Sequence, residues 1–339
     1  MKSGVLLLVL AFLVGCGDDD DDTADFDAAV RQPDAAIPDA AGPDADLSMP
    51  ATLEETGLYS DFANEIVAAG VEEYTPQFLL WSDGATKRRW LYLPPGSKID
   101  TGDMDFWMFP KGTKIWKEFT RGGTRVETRL LMKNGDASTD WFMMAYAWNA
   151  DQTQAVAVPF GAQDVLETSH DIPEPSDCEK CHDRMPDIGL GVSAIQLSHD
   201  GDGLTLSDLI ANDRLTDPPA GNFTIPGDAV ASAALGYLHA NCGNCHNDNA
   251  DIPKIAMRLW LTVDDLGTVE ETPVYQTAVG VAPARVIVDV TSIIEPGDVD
   301  ASAVHVRMND RGPIGMPPLA SEDVDSAGVA TVDAWINAL

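Results

Sequence analysis

The middle of the chain contains the stretch at residues 114–148, which reads KIWKEFTRGGTRVETRLLMKNGDASTDWFMMAYAW. Lys114 to Phe119 alternates polar and apolar residues, and Val126 to Met132 and Trp141 to Trp148 read as two further strands. Short strands at this spacing, bounded by turn residues, predict an antiparallel sandwich or barrel. We therefore expect a β-rich domain over residues 53–170.

One segment of that domain departs from the strand pattern. Leu58 to Ala69 has apolar residues at helical spacing, which predicts a helix. The Trp and Met residues of the domain are interpreted mainly as core packing.

The N-terminus has the features of a secretory signal. Lys2 supplies a positive charge, and the run from Val5 to Val14 is apolar but too short to span a membrane as a helix. The run ends at Gly15-Cys16, which resembles a bacterial lipobox. Residues 1–16 are therefore predicted to be a lipoprotein signal peptide with lipid attachment at Cys16, the alternative being a plain cleaved signal.

Residues 17–52 have the composition of a tether. Asp18 to Asp22 are five consecutive aspartates, and Pro-Asp-Ala then recurs with a period of five residues. Such sequence buries too little apolar surface to offset its ordering entropy, so we expect it to be disordered. A calcium site in the acidic run is the alternative, although an unstructured run lacks a fixed cage.

The remaining four cysteines form two identical motifs, Cys178-Glu-Lys-Cys181-His182 and Cys242-Gly-Asn-Cys245-His246. Two thiols three positions apart can reach the two vinyl groups of one haem, and the adjacent imidazole then lies beneath the iron. The motifs therefore predict two covalently bound haem c groups, with His182 and His246 as iron ligands. A zinc site and a thioredoxin-like redox motif are the alternatives, but neither explains a histidine directly after both pairs.

The second motif has a recognisable scaffold. Asp228 is a candidate N-cap for a helix that leads into Cys242, and apolar residues at the C-terminus recur at helical spacing up to Leu339. Between them lies Met316-Pro317. This resembles the cytochrome c fold, and by that resemblance Met316 is the sixth iron ligand, with Met308 as its nearest rival.

The sixth ligand of the first haem is less determined. No Met-Pro loop follows His182 before the second motif, and His199 is the best local candidate. His170 and a methionine of the β-rich domain, Met143 or Met144, stay open as alternatives.

Lys87-Arg88-Arg89 is a basic cluster in an acidic chain. A solvated strand end is the favoured interpretation. Pairing with haem propionates or with an acidic surface is the alternative.

Residues 74–339 resemble a family of exported di-haem c-type cytochromes with two Cys-x-x-Cys-His motifs after a β-rich domain. Besides the two motifs, the resemblance is carried by short matches in a fixed order along the chain, namely Leu80-Trp81-Ser82-Asp83-Gly84-Ala85, Phe109-Pro110-Lys111-Gly112-Thr113, Glu127-Thr128-Arg129-Leu130-Leu131, Tyr146-Ala147-Trp148-Asn149, Glu295-Pro296-Gly297-Asp298 and Met316-Pro317.

The fold expected from the sequence is an α+β multidomain protein. An N-terminal β-sandwich-like domain is followed by a first haem-binding segment over residues 171–225 and an α-helical cytochrome c-like domain with the second haem over residues 226–339. Residues 257–263 and 286–290 are expected to add strands to that last domain.

The function expected from the sequence is electron transfer outside the cytoplasm, by a non-enzymatic lipoprotein of the cell envelope that faces the periplasm or the exterior. The 55 acidic and 21 basic residues give a net charge of -34, which favours a basic redox partner and disfavours nucleic acid. Two other functions are alternatives: a di-haem peroxidase-like oxidoreductase with an open first haem, and a surface ligand-binding lipoprotein with accessory haems.

Overall fold

The computed structural model describes residues 49–250, 255–318 and 321–339. The predicted signal peptide, Cys16 and nearly all of the predicted tether lie outside the described residues. Pro50–Leu339 form one compact unit. No helix among the described residues is long and apolar enough to cross a membrane.

The predicted strands form one antiparallel sheet of six strands, in which each strand pairs with the next along the chain. Its strands are β3 (Val71–Glu73), β4 (Thr86–Tyr92), β5 (Lys114–Arg121), β6 (Thr124–Lys133), β7 (Trp141–Trp148) and β8 (Ala155–Ala157). Two short strands before them, β1 (Tyr59–Asp61) and β2 (Ile66–Val67), pair with each other.

The turn between β5 and β6 explains the sharp reversal at the centre of the sheet. Gly122 and Gly123 join the paired residues Arg121 and Thr124, with φ angles of 55° and 88°. A two-residue hairpin turn with two positive φ angles matches the twist of the flanking strands, and glycine adopts it without a Cβ clash.

Both faces of the sheet are covered. On one face Trp90, Trp116 and Leu130 pack in a core with the segment around Leu58. On the other face the core consists of Leu91, Ile115 and Leu131 from the strands together with Ile188, Val192 and Leu197 from an irregular segment.

The helices are short. They are α1 (Pro175–His182), α2 (Leu206–Ala211), α3 (Ala229–Leu238), α4 (Pro273–Ala278), α5 (Ala303–Asn309) and α6 (Ser326–Ala338). Single 3₁₀ turns occur at Glu54–Thr56, Val165–Glu167 and Val263–Asp265, and a π turn at His239–Gly243 continues α3.

The predicted helix before the second motif is confirmed as α3. The Asp228 carboxylate accepts hydrogen bonds from the Val230 and Ala231 amides, which caps its N-terminus as expected. α3 packs against α6 in a core that contains Leu235, Leu238, Val332, Trp335 and Ile336.

The fold-class prediction is wrong. The strands form one six-stranded sheet and a separate two-stranded pair rather than a β-sandwich, and the described residues, 22% of them helical, contain no helical cytochrome domain. The helical periodicity predicted α3 and α6 correctly. The described residues between these two helices are mostly turns and irregular chain, so they do not add up to a helical domain. The core of these helices also takes Phe78 from the β3–β4 connection. The boundaries placed at residues 170 and 225 stay predictions, which limited proteolysis would test.

Three local predictions are also wrong. Leu58 to Ala69 forms β1, a turn and β2 instead of a helix, and the left-handed Glu65 (φ 54°) lies in that turn. Residues 257–263 and 286–290 contain no strand. Their apolar side chains indicated strands, but they find no neighbouring strand with which to pair.

Candidate haem-binding centre

The first motif lies on α1, which begins with Pro175 at its first turn and ends at His182. Proline is favoured there because a backbone N–H in the first turn of a helix has no intrahelical acceptor, so its absence in proline costs no hydrogen bond. Cys178 and His182 are one turn apart, so they lie on one side of the helix. They line a recess, the first recess, together with Arg129 and Met143 on the sheet.

The imidazole of His182 is held in one tautomer. Its Nδ1 lies 2.7 Å from the Ile188 carbonyl oxygen, and because a carbonyl can only accept, Nδ1 carries the proton and donates. Nε2 is left as the free lone-pair nitrogen, the usual state of a metal-ligating histidine. Burial lowers the pKa of His182 to about 4, which keeps the ring neutral at physiological pH.

The Ile188 carbonyl is itself fixed by a buried ion pair. Asp187 accepts from Lys133 Nζ at 2.5 Å and from the backbone amides of Phe109 and Ile188 at 2.8 and 3.0 Å. The indole nitrogen of Trp141 donates to the same carboxylate. The loop after α1 is therefore anchored to the sheet.

The second motif begins in the π turn that follows α3. Cys242 lies in the second recess, which it shares with Tyr237, Arg311 and the two methionines Met308 and Met316. Each recess encloses about 310 Å³ of space, part of it open to solvent.

Met316, the predicted sixth ligand of the second haem, lines the second recess together with Cys242. Its amide donates to the Arg307 carbonyl at 2.9 Å, and Arg311 Nη2 donates to its carbonyl at 2.7 Å. The backbone on both sides of the thioether is therefore fixed. Met308 faces the same recess from α5 but belongs to the buried core, with only 7% of its surface exposed.

His246 has an unused ring nitrogen. Its Nδ1 is buried and has no hydrogen-bond partner among the described residues. Burial lowers the pKa of His246 to about 4, so the ring is neutral, as an iron ligand must be.

The fold brings the two motifs together, although they lie far apart along the chain. The thiols of Cys181 and Cys245 lie close enough to interact, and this interaction lowers the pKa of Cys181 to about 7 while it raises that of Cys245. Asn247 Nδ2 also lies 3.6 Å from Met185 Sδ. The second cysteines of the two motifs face each other, whereas Cys178 and Cys242 face separate recesses.

This arrangement bears on the zinc alternative. Within residues 49–250, 255–318 and 321–339, no group of three or more Cys, His, Asp or Glu side chains is placed to hold a metal ion. Cys178 and His182 line the first recess, and Cys242 and Met316 line the second, so each recess has one attachment thiol and one candidate iron ligand for a haem.

The candidates for the sixth ligand of the first haem lie in different surroundings. His199 has both ring nitrogens engaged, since Nε2 lies 2.8 Å from the Thr75 carbonyl and Nδ1 accepts from the Gly201 amide at 3.0 Å. His170 is buried, with Nε2 2.9 Å from a Glu127 carboxylate oxygen. Met143 lines the first recess with His182, whereas the side chain of Met144 packs in the core on the opposite face of the sheet, so the geometry favours Met143 over His199.

Comparison of the chain with protein-family models, with curated proteins and with solved structures gives no match. The proposed function therefore depends on the geometry of the two motifs and the two recesses.

Proposed function

We propose that the protein is a di-haem c-type cytochrome that transfers electrons outside the cytoplasm. The observation that carries the proposal is the approach of the two motifs: Asn247 Nδ2 lies 3.6 Å from Met185 Sδ and Cys181 interacts with Cys245, while Cys178 and Cys242 line separate recesses. Two cofactors attached there would have their edges close together, as electron exchange between them requires.

The residues of each centre have separate tasks. Cys178 and Cys181 would hold the first haem, and Cys242 and Cys245 the second. His182 and His246 would bind the irons through neutral imidazoles. A bound haem supplies reversible one-electron chemistry.

Met316 supports electron carriage at the second centre. A thioether opposite the histidine raises the reduction potential of a haem, and the backbone on both sides of Met316 is held by hydrogen bonds. Met143 in the first recess likewise favours a carrier over a peroxidase-like enzyme, because a methionine that bound the first iron would leave no site for peroxide.

The excess of acidic residues supports a basic redox partner. With 55 acidic and 21 basic residues, the protein attracts cationic surfaces, and association with such a partner slows as salt screens the charges. Export and lipid attachment at Cys16 belong to the same proposal and rest on the sequence of residues 1–16.

The test is the covalent haem content of the full chain, produced in a bacterium that matures c-type cytochromes. We expect two haems per chain, one in Cys178→Ser/Cys181→Ser and one in Cys242→Ser/Cys245→Ser. Cys16→Ser is the matched control, because it removes a cysteine outside the motifs and should leave two haems. A chain with intact motifs and no covalent haem contradicts the proposal, and rapid peroxide turnover by the first haem contradicts the carrier role.

A further inference from the structure

A row of like charges crosses the sheet on the side of the first motif. The register pairs Arg89 on β4 with Lys117 on β5, and Lys117 with Arg129 on β6. Directly paired residues have Cβ atoms about 4.5–5.5 Å apart, and like charges placed so destabilise a sheet. Three neighbouring strands therefore bring three cations together, which we call the cationic row.

The cationic row lacks matching anions. Glu127 is the carboxylate closest to it, and Glu127 already binds Arg129 through Nη2 at 3.0 Å and His170 at 2.9 Å. Within the described part of the chain, the side chains of Arg89 and Lys117 make no hydrogen bond and no ion pair. Arg89 is only 4% exposed, so its guanidinium is largely withdrawn from water.

Burial lowers the pKa values of Lys117 and Arg89. Burial, followed by repulsion from Arg89 and Lys87, lowers the pKa of Lys117 well below its ordinary value. Burial also lowers the pKa of Arg89. A guanidinium nevertheless stays charged in a protein, so Arg89 keeps an unbalanced positive charge inside the fold.

The row lies beside the first motif. Arg129 shares the first recess with Cys178 and His182. Lys117 is the cross-strand neighbour of Arg129, and Arg89 is that of Lys117. A ligand held by the motif would therefore lie within reach of these cations.

The chemistry of the cationic row favours a partner that carries carboxylate groups. Arginine binds a carboxylate through two parallel hydrogen bonds, and lysine adds a point charge. Glu127 neutralises Arg129, which leaves Arg89 and Lys117 as two basic side chains of the row without an anionic partner, and an anion beside Lys117 would raise its lowered pKa again. A haem carries two propionate carboxylates, which is the same number.

We propose that Arg89, Lys117 and Arg129 form the carboxylate-binding site for the propionates of the haem attached at Cys178 and Cys181. The inference rests on the proposed function. It replaces the interpretation of Lys87-Arg88-Arg89 as a solvated strand end, because Arg89 is buried while Arg88 is exposed and paired with Glu73. These cations also favour the ferrous state, since reduction adds a negative charge beside them.

The experiment measures the midpoint potentials of both haems in the full-length holoprotein by optical redox titration. We expect Arg89→Gln, and separately Lys117→Gln, to shift the equilibrium of one haem roughly fivefold toward the ferric form. This is a fall of about 40 mV at about 59 mV per tenfold. Arg88→Gln is the matched control, because it removes the same charge one residue away on the opposite face, and Arg89→Lys should restore most of the potential.

The outcomes separate the two proposals. Wild-type protein without covalent haem overturns the proposed function. Two haems whose potentials in Arg89→Gln and Lys117→Gln equal those of Arg88→Gln overturn only the propionate site. If the row instead binds a diffusible oxyanion, added inorganic phosphate at constant ionic strength will shift the wild-type potential, and that result also overturns the assignment to propionates.

Discussion

Asp187 provides a quantitative test of how the first motif is held. Its carboxylate accepts from Lys133, from Trp141 and from two backbone amides, and both members of the ion pair are buried, with side-chain exposures of 1% for Lys133 and 0% for Asp187. Asp187→Ala would leave the Lys133 ammonium without a counter-charge in the core. Removing one partner of a buried ion pair costs about 3–5 kcal/mol, so we expect a loss of that size in the free energy of unfolding.

Two further variants show whether the loss of stability comes from the broken ion pair or simply from changing a side chain. Lys133→Met in the Asp187→Ala background removes the uncompensated charge and should restore a large part of the loss, because apolar side chains often replace a buried pair without penalty. Lys98 and Asp213 form an ion pair of the same 2.5 Å length at the surface. Lys98→Met is therefore the matched control, and it should cost less than about 1 kcal/mol.

The assay is guanidinium denaturation of the full-length holoprotein, followed by tryptophan fluorescence and by far-ultraviolet circular dichroism. Asp187→Ala should also change the potential of the first haem, since Asp187 fixes the segment whose Ile188 carbonyl accepts from His182. If Asp187→Ala is no more destabilising than Lys98→Met, or if Lys133→Met restores nothing, the reasoning about this anchor is refuted.

Three other predictions follow from single residues. Met316→Leu should lower the potential of the second haem by on the order of 100 mV, within the range of about 0.8 V that axial ligands span, whereas Met308→Leu should leave it unchanged; redox titration of both variants decides which methionine is the ligand. Burial lowers the pKa of His239 to about 3, so its stabilising contribution is complete above its unfolded pKa of 6.5 and is lost as the pH falls toward 3. His239→Gln should therefore remove about 2 kcal/mol of the stability difference between pH 7 and pH 5, and an unchanged acid limb would contradict this. Gly123→Ala should cost about 1–2 kcal/mol because its φ is 88°, while Gly221→Ala, also with open space around its Cβ and without a positive φ, should be near neutral in the same denaturation assay.

The strands of the sheet were predictable because their pattern is local. Lys114 to Phe119, Val126 to Met132 and Trp141 to Trp148 correspond to β5, β6 and β7 within a few residues. The number of sheets was not predictable, because an apolar strand face looks the same whether another sheet or an irregular segment covers it. Here Ile188, Val192 and Leu197 provide the cover from loops.

The Cys and His residues of each motif could be identified from their spacing in the sequence, but the position of one motif relative to the other could not. Cys181 and Cys245 are separated by 63 intervening residues, and nothing in either pentapeptide indicates that they touch. The row of Arg89, Lys117 and Arg129 depends on strand register, which sequence alone leaves open. The alternation of Lys87 and Arg89 on β4 was a local signal that this strand face carries charge.

The measurement that tests the central claim most directly is the electron paramagnetic resonance spectrum of the fully oxidised holoprotein. Two haems attached at touching motifs should show magnetic coupling between their ferric irons, and Cys242→Ser/Cys245→Ser should abolish that coupling while the first signal stays. Two independent signals that this variant leaves unaltered in shape, or no haem signal from a chain with intact motifs, would contradict the account.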